Sequence, residues 1–313
     1  MQQLAEAFVP VADEVWRLQN GEGAEQGVFQ GFCEHGHYGG RTQPSSTRQG
    51  IYAVAPSGRF LASVNTRQPA AMATMLRTAL TKWQELAPAE RRMSPTTRER
   101  LAANTRFEDR YPADGLVLAM YVRDLGRTVD ADDWRTQAWN EDQAWFLREE
   151  AAALVPAAEV GAEVEVPKRL VERLACLHLL DVVRGQTPEF PREAVQEARL
   201  SVRVEAVVGE RVELSLRGRT RVEQSGRWLV TDGQEAAEQT RGVWTELEGR
   251  ATWDAAARRF VGFQLLAVGE RWGGTRYNQR GDDLAATRIG FAFVLAEEGH
   301  PRVAPTFWWG YGW

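Results

Sequence analysis

The sequence predicts an α+β fold: a small thioredoxin-like α/β unit at the N-terminus, a helical middle, and a C-terminal antiparallel β meander or partial barrel. Three observations lead there. Apolar residues recur every three or four positions before about residue 190, and every second position after about 195. Helical and strand runs are segregated rather than alternating, which argues against a doubly wound parallel sheet. A content of 43% hydrophobic and 26% charged residues over 313 positions is globular and long enough for two ordinary domains. The divisions read as 1–90, 91–190 and 191–313.

In the first division Leu4, Phe8, Val11, Val15 and Leu18 follow helical spacing, with Pro10 marking a place where a helix would start late. A polar, glycine-rich stretch from Gly31 to Gly50 reads as irregular. Ile51-Tyr52-Ala53-Val54, the turn Pro56-Ser57-Gly58 and Phe60-Leu61-Ala62-Ser63-Val64 form a hairpin signal. From Pro69 a helix runs through Met72, Leu76, Leu80 and Trp83.

The segment from Gln49 to Leu61, with the helix after it, resembles the C-terminal half of a thioredoxin-like domain, where two antiparallel strands and a tight turn precede the last helix. The chain departs from that family in having no Cys-x-x-Cys and no proline just before Ile51. The resemblance therefore implies a fold whose usual dithiol activity is absent or replaced. The whole chain is also similar to uncharacterised bacterial proteins that pair such a segment with a β-rich C-terminal region, a likeness that implies no activity.

The second division reads as helical and charged. Ser94-Pro95 offers a helix start, and Asn140-Glu141-Asp142-Gln143 resembles a capping box. Pro167 opens the clearest helix, with Leu170, Leu174, Leu177 and Asp181 on one face and Gly185 as its stop. From Leu200 the period is two, in runs around 200–206, 212–222, 247–253, 261–267 and 289–295. Glycines 218, 249 and 262 predict strong curvature or a bulge.

A net charge of -5 excludes a general nucleic-acid binder. No apolar run reaches membrane-spanning length, and the start lacks signal-peptide character, so the expectation is a cytoplasmic protein without a membrane span. Two cysteines make no disulfide framework. Only Lys82 and Lys168 among the 38 basic residues are lysine. Arginine forks suit carboxylates and phosphates, but the joint scarcity of lysine and isoleucine reads as coding bias.

Cys33-Glu34-His35-Gly36-His37 places three metal-ligating residues on alternate positions, which an extended chain would turn to one side. With His178 they form a candidate zinc or copper site; the bland reading leaves them as loop residues and a packed helix histidine. Asp181, three residues past His178 on the expected helix, would orient that imidazole. Cys33 beside histidines is also a candidate catalytic thiol. Two polar loops are candidate small-molecule sites: one holds Arg184 and Gln186, the other Arg276, Tyr277, Asn278 and Arg280. No nucleotide-cofactor motif occurs. The function expected is a metal- or thiol-dependent enzyme around residues 33–37. The alternative is a non-catalytic ligand- or partner-binding protein that uses its β domain. The sequence leaves the oligomeric state open.

Overall fold

The computed structural model describes residues 2–38, 47–66, 68–103, 114–296, 299 and 302–313. The chain divides into two compact units, Met1–Arg106 and Phe107–Trp313.

In the first unit the expected single N-terminal helix is two short ones, α1 (Gln2–Ala5) and α2 (Val15–Asn20). Pro10 lies in the break, where its missing N–H would interrupt a helix. Glu14 caps α2, its carboxylate accepting the Trp16 and Arg17 backbone N–H groups at 2.8 and 2.5 Å. The stretch expected to be irregular begins inside α3 (Ala24–Cys33). The hairpin β1 (Ile51–Val54) and β2 (Phe60–Val64) pairs Ala53 with Ala62 and turns at Gly58, whose φ is +85°. Helix α4 (Pro69–Glu85) covers it, joining Ala53, Leu61, Met75, Leu76 and Ala79 in one core. Ser94 caps α5 (Pro95–Ala102). Among the described residues this unit's sheet has these two strands only.

The second unit corrects the helical reading of residues 91–190. That region contributes two strands, β3 (Leu116–Asp124) and β4 (Trp139–Phe146), and three short elements, α6 (Arg148–Ala152), β5 (Glu163–Glu165) and α7 (Lys168–Leu177). The continuous apolar run 116–122 has no two-residue period because β3 lies inside the sheet and is covered on both faces. The acidic stretch taken for a capping box is β4, paired along β3 from Leu116↔Phe146 to Arg123↔Trp139.

The long strands follow: β6 (Val195–Val208), β7 (Arg211–Trp228), β8 (Ala237–Asp254), β9 (Arg259–Trp272) and β10 (Thr287–Leu295). All eight join in one open antiparallel sheet, in the order β4-β3-β10-β9-β8-β7-β6-β5. Two glycines on its inner face permit close approach of neighbouring strands. A Cβ at Gly218 or Gly249 would stand 2.3 or 2.5 Å from a carbonyl of the next strand. Gly262 lies at the bulge where β8 and β9 change register.

Helix α7 fills the concave face. Leu170, Val171, Leu174 and Ala175 pack into one core with Leu200, Val202, Leu214 and Leu216 of the sheet. Phe307 and Tyr311 of the C-terminal tail are buried in the same core, and a Cβ on Gly310 would meet Leu177 at 3.0 Å. Several rings dock together, which offsets the ordering of a glycine-containing tail. No helix among the described residues is long and apolar enough to cross a membrane.

Candidate functional site

The cysteine and histidine residues singled out by spacing lie in different environments. Cys33 ends α3 at 1% exposure, with its Sγ 3.7 Å from the Gln30 carbonyl. The helix continues through that residue, so the extended geometry that would align it with His35 and His37 does not form. The His35 ring faces Phe60, whereas His37 Nδ1 lies 2.8 Å from Ser63 Oγ. His178 belongs to the second unit and is 1% exposed. Its carboxylate partner is Asp142 of β4, at 3.0 Å, and not Asp181. Helix α7 stops at Leu177, so the three-residue neighbour rule does not extend to Asp181. Among the described residues no three His, Cys, Asp or Glu side chains gather as a metal-holding group.

The two polar loops do meet. The Gln186 N–H donates to the Tyr277 carbonyl at 3.1 Å, and Thr275 Oγ1 donates to Thr187 Oγ1 at 3.1 Å. Gly185 permits this approach, since a Cβ there would lie 2.2 Å from the Tyr277 oxygen. Beneath the contact Arg280, fully buried, holds two carboxylates. It donates to Asp124 at 2.7 and 2.8 Å and to Asp181 at 2.7 and 2.8 Å. Asn278 donates to Asp181 at 3.4 Å. Arg184 pairs with Asp124 at 3.2 Å and Asp283 at 3.0 Å, and Arg271 with Asp283 at 2.6 Å. Arg127 closes the group on Asp124 and Asp283.

Burial by itself would raise the Asp124 carboxyl, but hydrogen bonds from Arg280 and the surrounding guanidinium charges hold it below its ordinary value. Asp283 is lowered against its own burial by Arg271 and Arg127. Burial lowers Arg184 and Arg271. Arg135 bridges Asp133 at 2.8 Å and Asp282 at 2.6 Å at the edge of the group, with Asp133 within the field of Arg184. Five arginines thus face five aspartates, and the network carries no excess charge for a ligand to neutralise. Arg184, Asn278 and Arg280 are spent on it. Of the sequence-selected loop residues, Gln186, Arg276 and Tyr277 are exposed, and Arg276 is itself paired with Asp232 at 2.6 Å.

The unbalanced charge lies elsewhere, on the outer sheet face. A groove of about 1390 Å³ is rimmed by Arg148, Arg250, Arg258, Arg259 and Arg302, with Asp114 as its acidic residue. Its floor includes the half-buried Val261 and Val294. Arg258 sits in the β8–β9 turn with a φ of +52°, a conformation that ordinary side chains seldom adopt. A second groove, about 760 Å³ on the outer faces of β6 to β10, sets four arginines against four glutamates around Leu266 and Trp244, so it is neutral. The rim arginines were missed in the sequence because arginine is frequent throughout the chain. The adjacent pair Arg258-Arg259 in a turn was the one available signal.

Comparison with known proteins returns nothing: no protein-family model, no curated protein and no solved structure matches the chain.

Proposed function

We propose that the second unit is a binding module that takes an acidic polypeptide segment along the arginine-rimmed groove. The observation that carries this reading is the local charge: Arg250, Arg258 and Arg259 line the groove, beside Arg148, which pairs with Asp114 at 2.9 Å, in a chain whose net charge is -5. Guanidinium forks bind carboxylates in bidentate fashion. An open groove of about 1390 Å³ suits several carboxylates on a chain better than one small anion. The aliphatic floor accepts apolar side chains between them. Single-stranded nucleic acid would need exposed aromatic faces for stacking. Of the lining aromatics, Phe260 is buried against Trp253 and Phe263, and Tyr121 is half-buried beside Trp139.

The test is fluorescence anisotropy with a labelled peptide of mixed Glu and Val, its Gln/Val counterpart, and an oligonucleotide of similar length. The expected result is binding of the acidic peptide alone, weakening steeply between about 50 and about 200 mM salt. Binding should be lost in the triple variant Arg250→Glu/Arg258→Glu/Arg259→Glu. Equal binding by the neutral peptide, tighter binding by the oligonucleotide, or an unaffected triple variant would overturn the proposal.

A further inference from the structure

The C-terminal tail docks through its rings and through several polar contacts: the Val303 N–H donates to Gln143 at 3.1 Å, Trp309 Nε1 donates to Glu189 at 3.0 Å, and a polar node forms at Tyr311. Tyr311 Oη accepts the Trp145 backbone N–H at 3.1 Å and lies 2.7 Å from His178 Nε2. In the neutral imidazole the Asp142 carboxylate can only accept, so the ring proton sits on Nδ1, and Nε2 accepts the phenol hydrogen. The Nδ1–H donates to Asp142 Oδ2 at 3.0 Å. The other Asp142 oxygen accepts the Thr306 backbone N–H at 3.0 Å. Two tail residues, Thr306 and Tyr311, are thereby held by one aspartate–histidine pair contributed by β4 and the end of α7.

We propose that this node is an acid-sensitive latch, closed while His178 is neutral and released when the imidazole gains its second proton. Each group packed on the imidazole bears on the outcome. From β4, Asp142 keeps its bond to Nδ1 in either state. From the tail, Tyr311 can no longer give its hydrogen to Nε2, which has become a donor. The phenol is then left with two donors directed at one oxygen and a hydrogen with no acceptor, in a fully buried position. From α7, the Arg173 guanidinium stands 4.4 Å from the Tyr311 ring centre, so a second cation arises beside the first. Glu150 of α6 already binds Arg173 through both oxygens, at 3.1 and 2.7 Å, which fixes that cation in place. Protonation preserves the Asp142–His178 pair but reverses the tail's bond to it, so that Nε2–H donates to the phenol oxygen and the phenol hydrogen loses the acceptor it had.

Hydrogen exchange of amides 306–313, corrected for the intrinsic effect of pH, tests the latch. Exchange should accelerate about tenfold or more between about pH 8 and about pH 5. The far-ultraviolet circular dichroism should stay constant over that range. Tyr311→Phe should exchange rapidly and almost independently of pH. His300→Gln, a histidine close in sequence that lies outside the described residues, should behave as wild type. A wild-type tail whose protection does not change with pH would overturn the proposal. So would an unaltered pH response in Tyr311→Phe, or a response that disappears in His300→Gln.

Discussion

Arg280 and Asp124, 156 positions apart in sequence, face each other through two parallel N–H···O bonds of 2.7 and 2.8 Å, both residues buried. The same guanidinium also holds Asp181. One side chain thus ties the end of β3, the segment after α7 and the loop between β9 and β10.

Replacing Arg280 should consequently be severe. Arg280→Ala leaves two buried carboxylates without their main partner and should cost about 3–5 kcal/mol of stability. Urea denaturation followed by tryptophan fluorescence measures it. The pair Arg280→Met/Asp124→Leu, which removes a charge of each sign, should recover part of that loss. A single variant within about 0.5 kcal/mol of wild type would contradict the role assigned to the network.

Acid should act on the same network from the other side. Asp124 and Asp283 have lowered folded-state pKa values, so between the folded and unfolded values the unfolded chain binds more protons. Their contribution is fully present above the unfolded carboxyl value of about 3.9 and is lost as pH falls through the folded values. The melting temperature of the second unit should therefore drop steeply below about pH 4. The drop should be shallower in Asp283→Asn, which has already lost part of the contribution at neutral pH.

Gly185 is the point of closest approach between the two polar loops. Gly185→Ala would drive a methyl group into the Tyr277 carbonyl and should cost about 1–3 kcal/mol by overpacking, through displacement of the loop from Arg271 to Arg280. Gly209→Ala is the control for a strained turn glycine, since its φ is +58° but no atom lies within 4 Å of the added Cβ.

Both thiols should be inert in the native protein. Burial pushes Cys176 up to about 11, and Cys33 is 1% exposed. Ellman's reagent at about pH 8 should label neither until denaturant is added. Rapid native labelling of Cys33 would revive a thiol-based reading of residues 33–37.

What the sequence disclosed followed from periodicity. Leu200 to Ala206, Val212 to Val222 and Ile289 to Leu295 alternate because one face of each strand lies in the buried core and the other meets solvent. β3 hid because both of its faces are covered, and β4 because its polar residues serve tail contacts: Gln143 and Asp142 receive the Val303 and Thr306 N–H groups. The polar loops stood out by composition. Their convergence on Asp124 and Asp283 did not, since pairing across 156 residues leaves no local pattern. Asp283 looked like half of an ordinary acidic doublet. Nor can spacing separate an arginine buried in a salt bridge, such as Arg271, from one on an open rim, such as Arg250.

The tail carries one more consequence. Arg302 lines the groove, and the next residue, Val303, donates to Gln143 at 3.1 Å on the way to the contacts at Thr306 and Tyr311. One short stretch of chain therefore belongs to both the rim and the fastening. Thermodynamic coupling between two such events is reciprocal. Were an anion in the groove to favour the fastened tail, loosening Tyr311 would weaken that anion by the same factor. Occupancy of the groove would then be readable at the aromatic end of the chain, in residues that never touch the bound partner.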